Sequence, residues 1–333
     1  ALSLPAVSHA WSEDPVTAEV STVYSYGVAV TADNNGNTFQ TVVYKGSISF
    51  GSHTVNAASS TTEEYAIVKF NSEGVAQWVV NTDSNIGIYG MATDNNGNLY
   101  ISGSMNNTVS LGSTTLTSAG GGDGFVAKLN SSGAWIWAKS VGGSGGDWTS
   151  GVDTDSAGNV FMSGGFQSSM TIGSTVLTSA GSNDLYITKL DSSGNFLWAN
   201  KVGGIGDDNA GWINNLAVDS AGNSYVTGQM SDSLTINGNT LTSAGGRDLF
   251  IAKFDSSGVI VWGVRAGSAQ DDEIYGVALD SQGNAFITGI VRGPATFGSI
   301  TLTYNGGRDG FIAKINPAGA WQWAASFGGE GSE

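Results

Sequence analysis

An all-β chain, a β-propeller of four-stranded antiparallel blades with five repeats visible, is the fold this sequence predicts. Three observations carry that reading. A turn pentapeptide that begins with Asp and ends in Gly-Asn recurs five times, a second Gly-containing turn followed by Trp keeps the same period, and no window has helical periodicity.

The first motif, Asp33-Asn-Asn-Gly-Asn37, returns as Asp94 to Asn98, Asp155 to Asn159, Asp219 to Asn223 and Asp280 to Asn284, at offsets of 61, 61, 64 and 61 residues. The second is Lys, an apolar residue, Asn or Asp, two further residues and Gly. It places Gly74, Gly133, Gly194, Gly258 and Gly319 four residues before Trp78, Trp137, Trp198, Trp262 and Trp323. These two markers divide the chain into repeats at about 24–85, 86–146, 147–208, 209–272 and 273–333, after an N-terminal segment of 1–23.

Repeat three shows the unit most plainly. Runs rich in Val, Ile, Phe and Leu between turn residues give strand a at Ser150 to Asp155, b at Asn159 to Gly164, c at Leu185 to Leu190 and d at Asn195 to Lys201. Both motifs then close hairpins, a to b and c to d. Asp or Asn at the first position bonds the backbone two residues on, and Gly takes the positive φ the turn needs. Between b and c, Met170 to Thr178 and its counterparts Val109 to Thr117, Leu234 to Thr242 and Ala295 to Thr303 set β-formers around a turn centre, so a small protruding hairpin is expected there.

Four antiparallel strands cannot bury both faces alone, whereas packing such sheets around an axis buries the faces and shields the edges. Strand a, with Gly90, Ala92, Gly151, Ala217, Gly276 and Ala278, suits the crowded axis, and the Trp of strand d suits the wide rim. The rival is an open β-solenoid, for which a unit of about sixty residues with two tight hairpins is long. In repeat one strand a is longer, and Glu63-Glu64 replaces the Gly-x-Asp that precedes strand c, so its pairing is expected to be the least secure. The run Phe327 to Glu333 matches the linker Val141 to Asp147, while Ser8-His-Ala-Trp11-Ser resembles a lone strand d. The expectation is a longer parent chain whose ring closes through that N-terminal strand.

Among the 333 residues are 50 Gly, 4 Pro and 10 Trp, with 12% charged residues, a composition too rich in aromatic surface for disorder. Lys and Arg number 12 against 28 Asp and Glu. A surface with a net charge of −16 repels phosphate backbones and anionic lipid, so nucleic acid is not an expected partner. The lack of Cys removes disulfides and thiolate metal sites and suits an extracellular location. No apolar run approaches the roughly 18 residues that cross a bilayer, so membrane insertion is not expected. The opening Ala-Leu-Ser-Leu-Pro lacks the regions of a secretion signal, as in a mature or trimmed chain.

The repeat has a consensus: Gly-Val-Ala-x-Asp-x-x-Gly-Asn-x-(Phe/Tyr)-(Ile/Val)-(Ser/Thr)-Gly, then Gly-Gly-x-Asp-x-Phe-(Ile/Val)-Ala-Lys-(Leu/Phe)-(Asn/Asp)-x-x-Gly, a Trp and Gly-Gly. It is clearest in Gly90 to Gly103 with Gly121 to Trp137, and in Gly276 to Gly289 with Gly306 to Trp323. From about residue 26 onward the chain resembles the bacterial propeller repeats called SBBP, with a weaker likeness to NHL propellers. The resemblance implies a propeller fold, export and surface display, and it adds location more than chemistry.

On a propeller the a–b and c–d turns share one face, while the b–c inserts and d–a linkers share the other. The second face is the functional candidate, because its loops are long, Gly-rich and unequal. There Asp123, Asp184, Asp248 and Asp309 lead into strand c, and Asp147, Asp208 and Asp272 end the d–a linkers. Their recurrence reads either as one Ca²⁺ site per blade, since hard cations take several oxygens, or as capping of backbone N–H groups at strand ends. With no Asp-x-Asp-x-Asp-Gly loop, capping is the expected role and no cofactor is required, Ca²⁺ being the one ion considered.

Trp148 and Trp212 lie seven residues before the turn Asp, where repeats two and five have Gly87 and Glu273. They are expected to meet near the axial mouth, as a platform for a sugar ring or as a plug in the channel. Tyr89 and Tyr275 on strand a are further ligand-binding candidates. So is Asp153, which stands where other repeats have Ala92, Ala217 and Ala278 and is expected to face axial water or to find a partner.

No catalytic constellation is visible: His9 and His53 lie in the irregular N-terminus and in an insert, away from any nucleophile. Asp191-Ser-Ser-Gly194 with Trp198 resembles a sialidase Asp-box with one residue too many, and there are only four Arg (Arg247, Arg265, Arg292, Arg308). The sequence therefore reads as a secreted or cell-surface binding or scaffold protein without catalysis, adhesin-like or part of an extracellular assembly, with other surface proteins or glycans as partners. The alternative is a polysaccharide-active hydrolase or lyase using carboxylates on the insert-bearing face.

Overall fold

The Asp and Asn turns, spaced as they are, leave segments of about seven residues that can only be satisfied by pairing with one another. In a computed structural model, which describes residues 25–211 and 214–331, every regular element is a β-strand and the described residues contain no helix. The five repeats become five four-stranded antiparallel units in the order a-b-c-d, units two and three being joined into one larger sheet. Unit one is Ser25–Ala32, Thr38–Tyr44, Glu64–Phe70 and Ala76–Asn81. Unit two is Ile86–Thr93, Leu99–Met105, Asp123–Leu129 and Trp135–Gly143. Unit three is Trp148–Thr154, Val160–Ile172, Thr175–Leu190 and Phe196–Val202. In unit four strand a is split into Asn209–Ala210 and Leu216–Val218, followed by Ser224–Met230, Asp248–Phe254 and Ile260–Gly267. Unit five is Glu273–Leu279, Ala285–Val291, Asp309–Ile315 and Trp321–Phe327. The expected closing strand at residues 8–12 lies outside the described residues.

Turn chemistry accounts for the hairpins. Asp94 Oδ1 accepts the backbone N–H of Asn96 at 2.9 Å and of Asn98 at 3.0 Å, while the Asn98 amide donates to Asp94 Oδ2 at 2.7 Å. Asn130 does the same in the c–d turn, accepting from Ser132 and Ala134 at 3.0 and 2.9 Å. Each side chain thereby substitutes for a missing backbone acceptor, which is why the motif survives in all five units.

Repeat one is as fully paired as the rest, against expectation. Its strand a runs in register with strand b from Ser25↔Tyr44 to Ala32↔Thr38. Glu64 accepts the Ala58 N–H at 2.7 Å, the task Asp123 performs for Ala119 at 3.1 Å, so the longer side chain reaches across a longer loop.

The insert does form a hairpin, but it lies on the sheet rather than standing clear of it. Met170, Ile172 and Leu177 are buried, and Gly142 and Gly143 at the end of unit two's strand d pair with Thr171 and Met170 of unit three. Ala266 and Gly267 pair with Phe297 and Thr296 in the same way between units four and five. Alternating apolar residues along a short hairpin need cover, and the rim of the preceding sheet supplies it.

What joins one unit to the next is a repeated contact at the c–d turn. Trp78 Nε1 and Lys69 Nζ both donate to the carbonyl of Ser131, at 3.0 and 3.2 Å. Trp137 and Lys128 meet at Ser192 O, Trp198 and Lys189 at Ser256 O, and Trp262 and Lys253 at Pro317 O, within 2.9–3.4 Å. Each Lys also stands over an aromatic ring of its own strand b, Lys189 being 4.7 Å from the centroid of Phe161 and 3.2 Å from Asp155. An ammonium removed from water needs such compensation, and a cation–π contact contributes about 0.5–2 kcal/mol. The indole lies on the next unit's turn glycine, whose positive φ and missing Cβ leave it room.

The inner strands stand side by side from unit one to unit five and border a shared cavity of about 340 Å³, lined by residues of every unit such as Thr31, Met91, Val152, Leu216 and Val277. Thr93 Oγ1 donates to Ala32 O at 2.8 Å and Thr154 Oγ1 to Thr93 O at 3.0 Å, linking successive strands along this axis.

Gly194 and Gly74 have nearly the same φ, +82° and +80°. A Cβ at 194 would lie 3.0 Å from the Trp137 ring, whereas one at 74 would meet nothing within 4 Å. Both Ala variants share the backbone strain, so Gly194→Ala is expected to lose at least about 1 kcal/mol more than Gly74→Ala in urea unfolding. Equal losses would show that the indole seat has no weight.

Candidate functional site

Residues that flank the b–c inserts and the d–a linkers of units two to four come together at one end of the inner strands. Between units two, three and four they enclose a cavity of about 720 Å³. Trp148, the first residue of unit three's strand a, lines it, and Tyr89 of unit two lines it as well. Both rings are half-buried. Gly165 leaves space for the Trp148 indole, and the Tyr89 hydroxyl is held by Ser104 Oγ at 2.9 Å.

The polar wall comes from residues that the sequence did not single out as ligands: Asn106, Asn209, Gln229, Asp207 and Arg247. Arg247 Nη2 donates to Asp207 Oδ2 at 2.7 Å, Asn209 Nδ2 donates to the same atom at 3.1 Å, and the Asn183 amide binds Asp207 Oδ1. A signal was present in the sequence. The residue before the recurring Asp of strand c is Gly122, Asn183, Arg247 and Arg308 in units two to five, the least uniform position in an otherwise uniform stretch.

The other candidates are dispersed. Tyr275 sits on unit five, donating to Glu273 Oε2 at 2.8 Å beside Arg292 and Arg308, both of which pair with Glu273. Trp212 lies outside the described residues. Asp153 borders the axial cavity, where its Oδ2 accepts the N–H of Val218 at 2.7 Å and its Oδ1 that of Thr154 at 2.8 Å. Its carboxylate therefore joins strand a of unit three to strand a of unit four, and burial pushes its pKa up to about 6.

The seven recurring carboxylates cap backbone at strand ends. Asp123, Asp184, Asp248 and Asp309 accept the N–H of Ala119, Ala180, Ala244 and Asn305 at 3.1, 3.0, 2.8 and 2.7 Å. Asp184 and Asp248 also hold Lys201 and Arg265. Asp147 bridges Gly143 N–H and Gln167 N–H at 2.7 and 3.2 Å, Asp208 bridges Gly204 and Ser231 at 2.6 and 3.2 Å, and Asp272 bridges Ser268 and Arg292 at 2.5 and 3.0 Å. Among the described residues no three or more His, Cys, Asp or Glu side chains come together as a metal-holding group.

Comparison with known proteins gives the repeat context. No family model matches the chain. It is 29% identical over 151 residues to the regulatory protein FlaEY of Caulobacter vibrioides, a match covering 44% of this chain and 15% of that protein. It is 26% identical over 242 residues to an uncharacterized WD repeat-containing protein, L264, of Acanthamoeba polyphaga mimivirus, covering 61% of this chain and 17% of that one. The chain thus spans less than a fifth of either relative. Among solved structures it is similar to a protein of unknown function from Bacteroides caccae, with TM-score 0.31, 10% identity, and 79% and 90% of the two chains covered. It is also similar to a Synechocystis apocarotenoid oxygenase mutant, with TM-score 0.43, 8% identity, and 87% and 58% covered. Likeness at that level bears on neither blade number nor chemistry.

The bridging carboxylates have a measurable consequence. Burial, reinforced by the charges of Asp123, Asp184 and Asp248, pushes Asp147, Asp208 and Asp272 up to about 6 against the donated N–H bonds. Because the ordinary Asp value is near 3.9, the folded state prefers these groups protonated; the stability this confers is complete below about pH 4 and lost as pH rises through 6. At the a–b turns the balance is reversed. Burial opposes ionisation of Asp94 and Asp155, but the hydrogen bonds from Asn98 and Asn159 outweigh it and hold both below the ordinary value. That contribution disappears only in stronger acid. The thermal midpoint is therefore expected to rise between pH 7 and pH 5 and to fall again below about pH 3.5. A midpoint that drops steadily from pH 7 downward would contradict the raised carboxyls.

Proposed function

We propose that the chain is a β-propeller portion of a secreted or cell-surface protein, akin to the SBBP repeats, and that it binds a glycan at the insert-bearing mouth without catalysis. The propeller reading is supported by five four-stranded units whose inner strands border one cavity. The observation behind the ligand class is the composition of the mouth. Trp148 and Tyr89 offer ring faces, while Asn106, Asn209 and the Asp207–Arg247 pair offer fixed donors and acceptors around a space of about 720 Å³. A sugar ring presents an apolar C–H face and a rim of hydroxyls, and an aromatic surface edged by amides and one ion pair matches both. The acidic surface favours neutral glycans over anionic ones.

The hydrolytic alternative needs two available carboxylates across one pocket. Asp147 and Asp207 both border the cavity, but the first carries two backbone N–H groups and the second holds Arg247, so neither is free to act on a glycosidic bond. That favours binding.

On an array of neutral and acidic glycans the protein is expected to retain neutral oligosaccharides, equally with and without EDTA. Trp148→Ala is expected to weaken the strongest of these by at least about tenfold, with Tyr89→Ala somewhat less severe. Retention of no glycan, or retention unchanged by both substitutions, would remove the mouth as a saccharide site.

A further inference from the structure

One buried side chain at the mouth is not called for by the repeat. Opposite the residue that follows the recurring acidic residue of strand c, strand b carries Val43, Ser104, Gly165 and Ile290 in units one, two, three and five, but Gln229 in unit four. Gln229 is 4% exposed and lines the cavity of about 720 Å³. Its Nε2 donates to Asp272 O at 3.3 Å, which fixes how the amide faces, and among the described residues no donor reaches Oε1. A buried polar atom left without a partner is destabilising, and the frame manages without one at this position in the other units.

Two neighbours on the same wall are set in the same way. Asn209 Nδ2 donates to Asp207 Oδ2 at 3.1 Å, so Oδ1 is left to accept. Arg247 reaches that same oxygen through Nη2 at 2.7 Å, which leaves Nε and Nη1 to donate. Asp207 itself is filled, with Asn183 on its other oxygen, and it balances the guanidinium charge. The wall thus offers free acceptors on two amides and free donors on one neutralised cation, beside the rings of Trp148 and Tyr89.

A group that matches such a wall needs a donor, an acceptor and an apolar surface, with no net charge. An acetamido group has all three in its N–H, its carbonyl and its methyl. A hydroxyl has no apolar arm, and a carboxylate lacks the donor and would add an anion beside Asp147 and Asp207. We propose that the mouth selects glycans built from N-acetylated amino sugars, the acetamido N–H donating to Gln229 Oε1, its carbonyl accepting from Arg247 and its methyl resting on Trp148. The selection rests on the saccharide reading of the cavity and narrows it.

Isothermal titration calorimetry with triacetylchitotriose and with cellotriose tests the assignment, because the two trisaccharides share one linkage and differ only in carrying acetamido or hydroxyl at carbon 2. The acetylated sugar is expected to bind at least about tenfold more tightly, since a site that hydrogen-bonds a ligand group discriminates against the analogue lacking it. Gln229→Ser installs the residue of unit two, which the frame accommodates, and Arg247→Asn installs that of unit three. Each is expected to weaken the acetylated trisaccharide by at least about tenfold while cellotriose changes by less than about twofold. Equal affinity of the wild-type protein for the two sugars would overturn the acetamido assignment and leave the saccharide site standing. So would a preference that survives both substitutions, or an equal weakening of both sugars, as loosening of the mouth would give. Binding of neither trisaccharide would overturn the assignment as well, and the glycan array then decides whether the broader reading survives.

Discussion

Each junction between units depends on one backbone carbonyl that receives two donors, an indole N–H and an ammonium. The acceptor sits in a turn whose geometry is set by an Asn or Asp side chain and a glycine. Once that turn is formed, its carbonyl direction, its positive φ and its lack of a Cβ are determined together. The Trp and Lys that use it come from adjacent strands of the unit before, and the Lys is itself oriented by an aromatic ring and, in units two, three and five, by the turn Asp. A local turn signal thereby becomes a long-range contact about sixty residues away. Loss of the carbonyl's turn would leave the ammonium of Lys69, Lys128 or Lys189, drawn out of water, without that acceptor.

The opposite face follows another logic. Carboxylates there are drawn into the protein to satisfy backbone N–H groups at strand ends, and several remain close enough to repel one another. Two kinds of aspartate result. Asp33, Asp94, Asp155 and Asp280 in the a–b turns are stabilised as anions by at least three donors each, whereas Asp147, Asp208 and Asp272 at the linker ends each accept two backbone N–H groups in a setting that favours the neutral acid. The same residue type thus anchors both faces with opposite electrostatic character, and the face with long loops is left with the strained set. Binding sites commonly occupy such places, where a rigid frame supports loops free to vary.

Most of the fold was legible because its determinants are local. Asp-x-x-Gly-Asn and the Lys-to-Trp motif each specify a hairpin within a few residues, and strand edges came out within two or three positions of those read from repeat three, apart from strands b and c running on into the insert. The docking of the insert hairpin was not legible, because Met170 and Thr171 pair with Gly142 and Gly143 in another unit and no local pattern records that register. Trp148 and Tyr89 were identifiable as aromatic departures from a repeating frame. Asp207 and Arg247 were not, because their pairing spans 40 residues and appears only once the linker and the insert share a mouth. Asp153 was visible as an anomaly, but its partner, the N–H of Val218, is a backbone atom of the next unit and leaves no side-chain signature.

The direction of the indole contact has a bearing on biosynthesis. In units one to four the strand d Trp reaches forward, toward a turn that lies later in the chain, and among the described residues the unit one turn glycine, Gly74, meets no indole. As the polypeptide leaves the ribosome, a unit whose own four strands are complete still carries an unsatisfied indole and ammonium until the next c–d turn has been translated. Maturation therefore trails elongation by one repeat, the indole and ammonium of the newest unit waiting on the turn that follows.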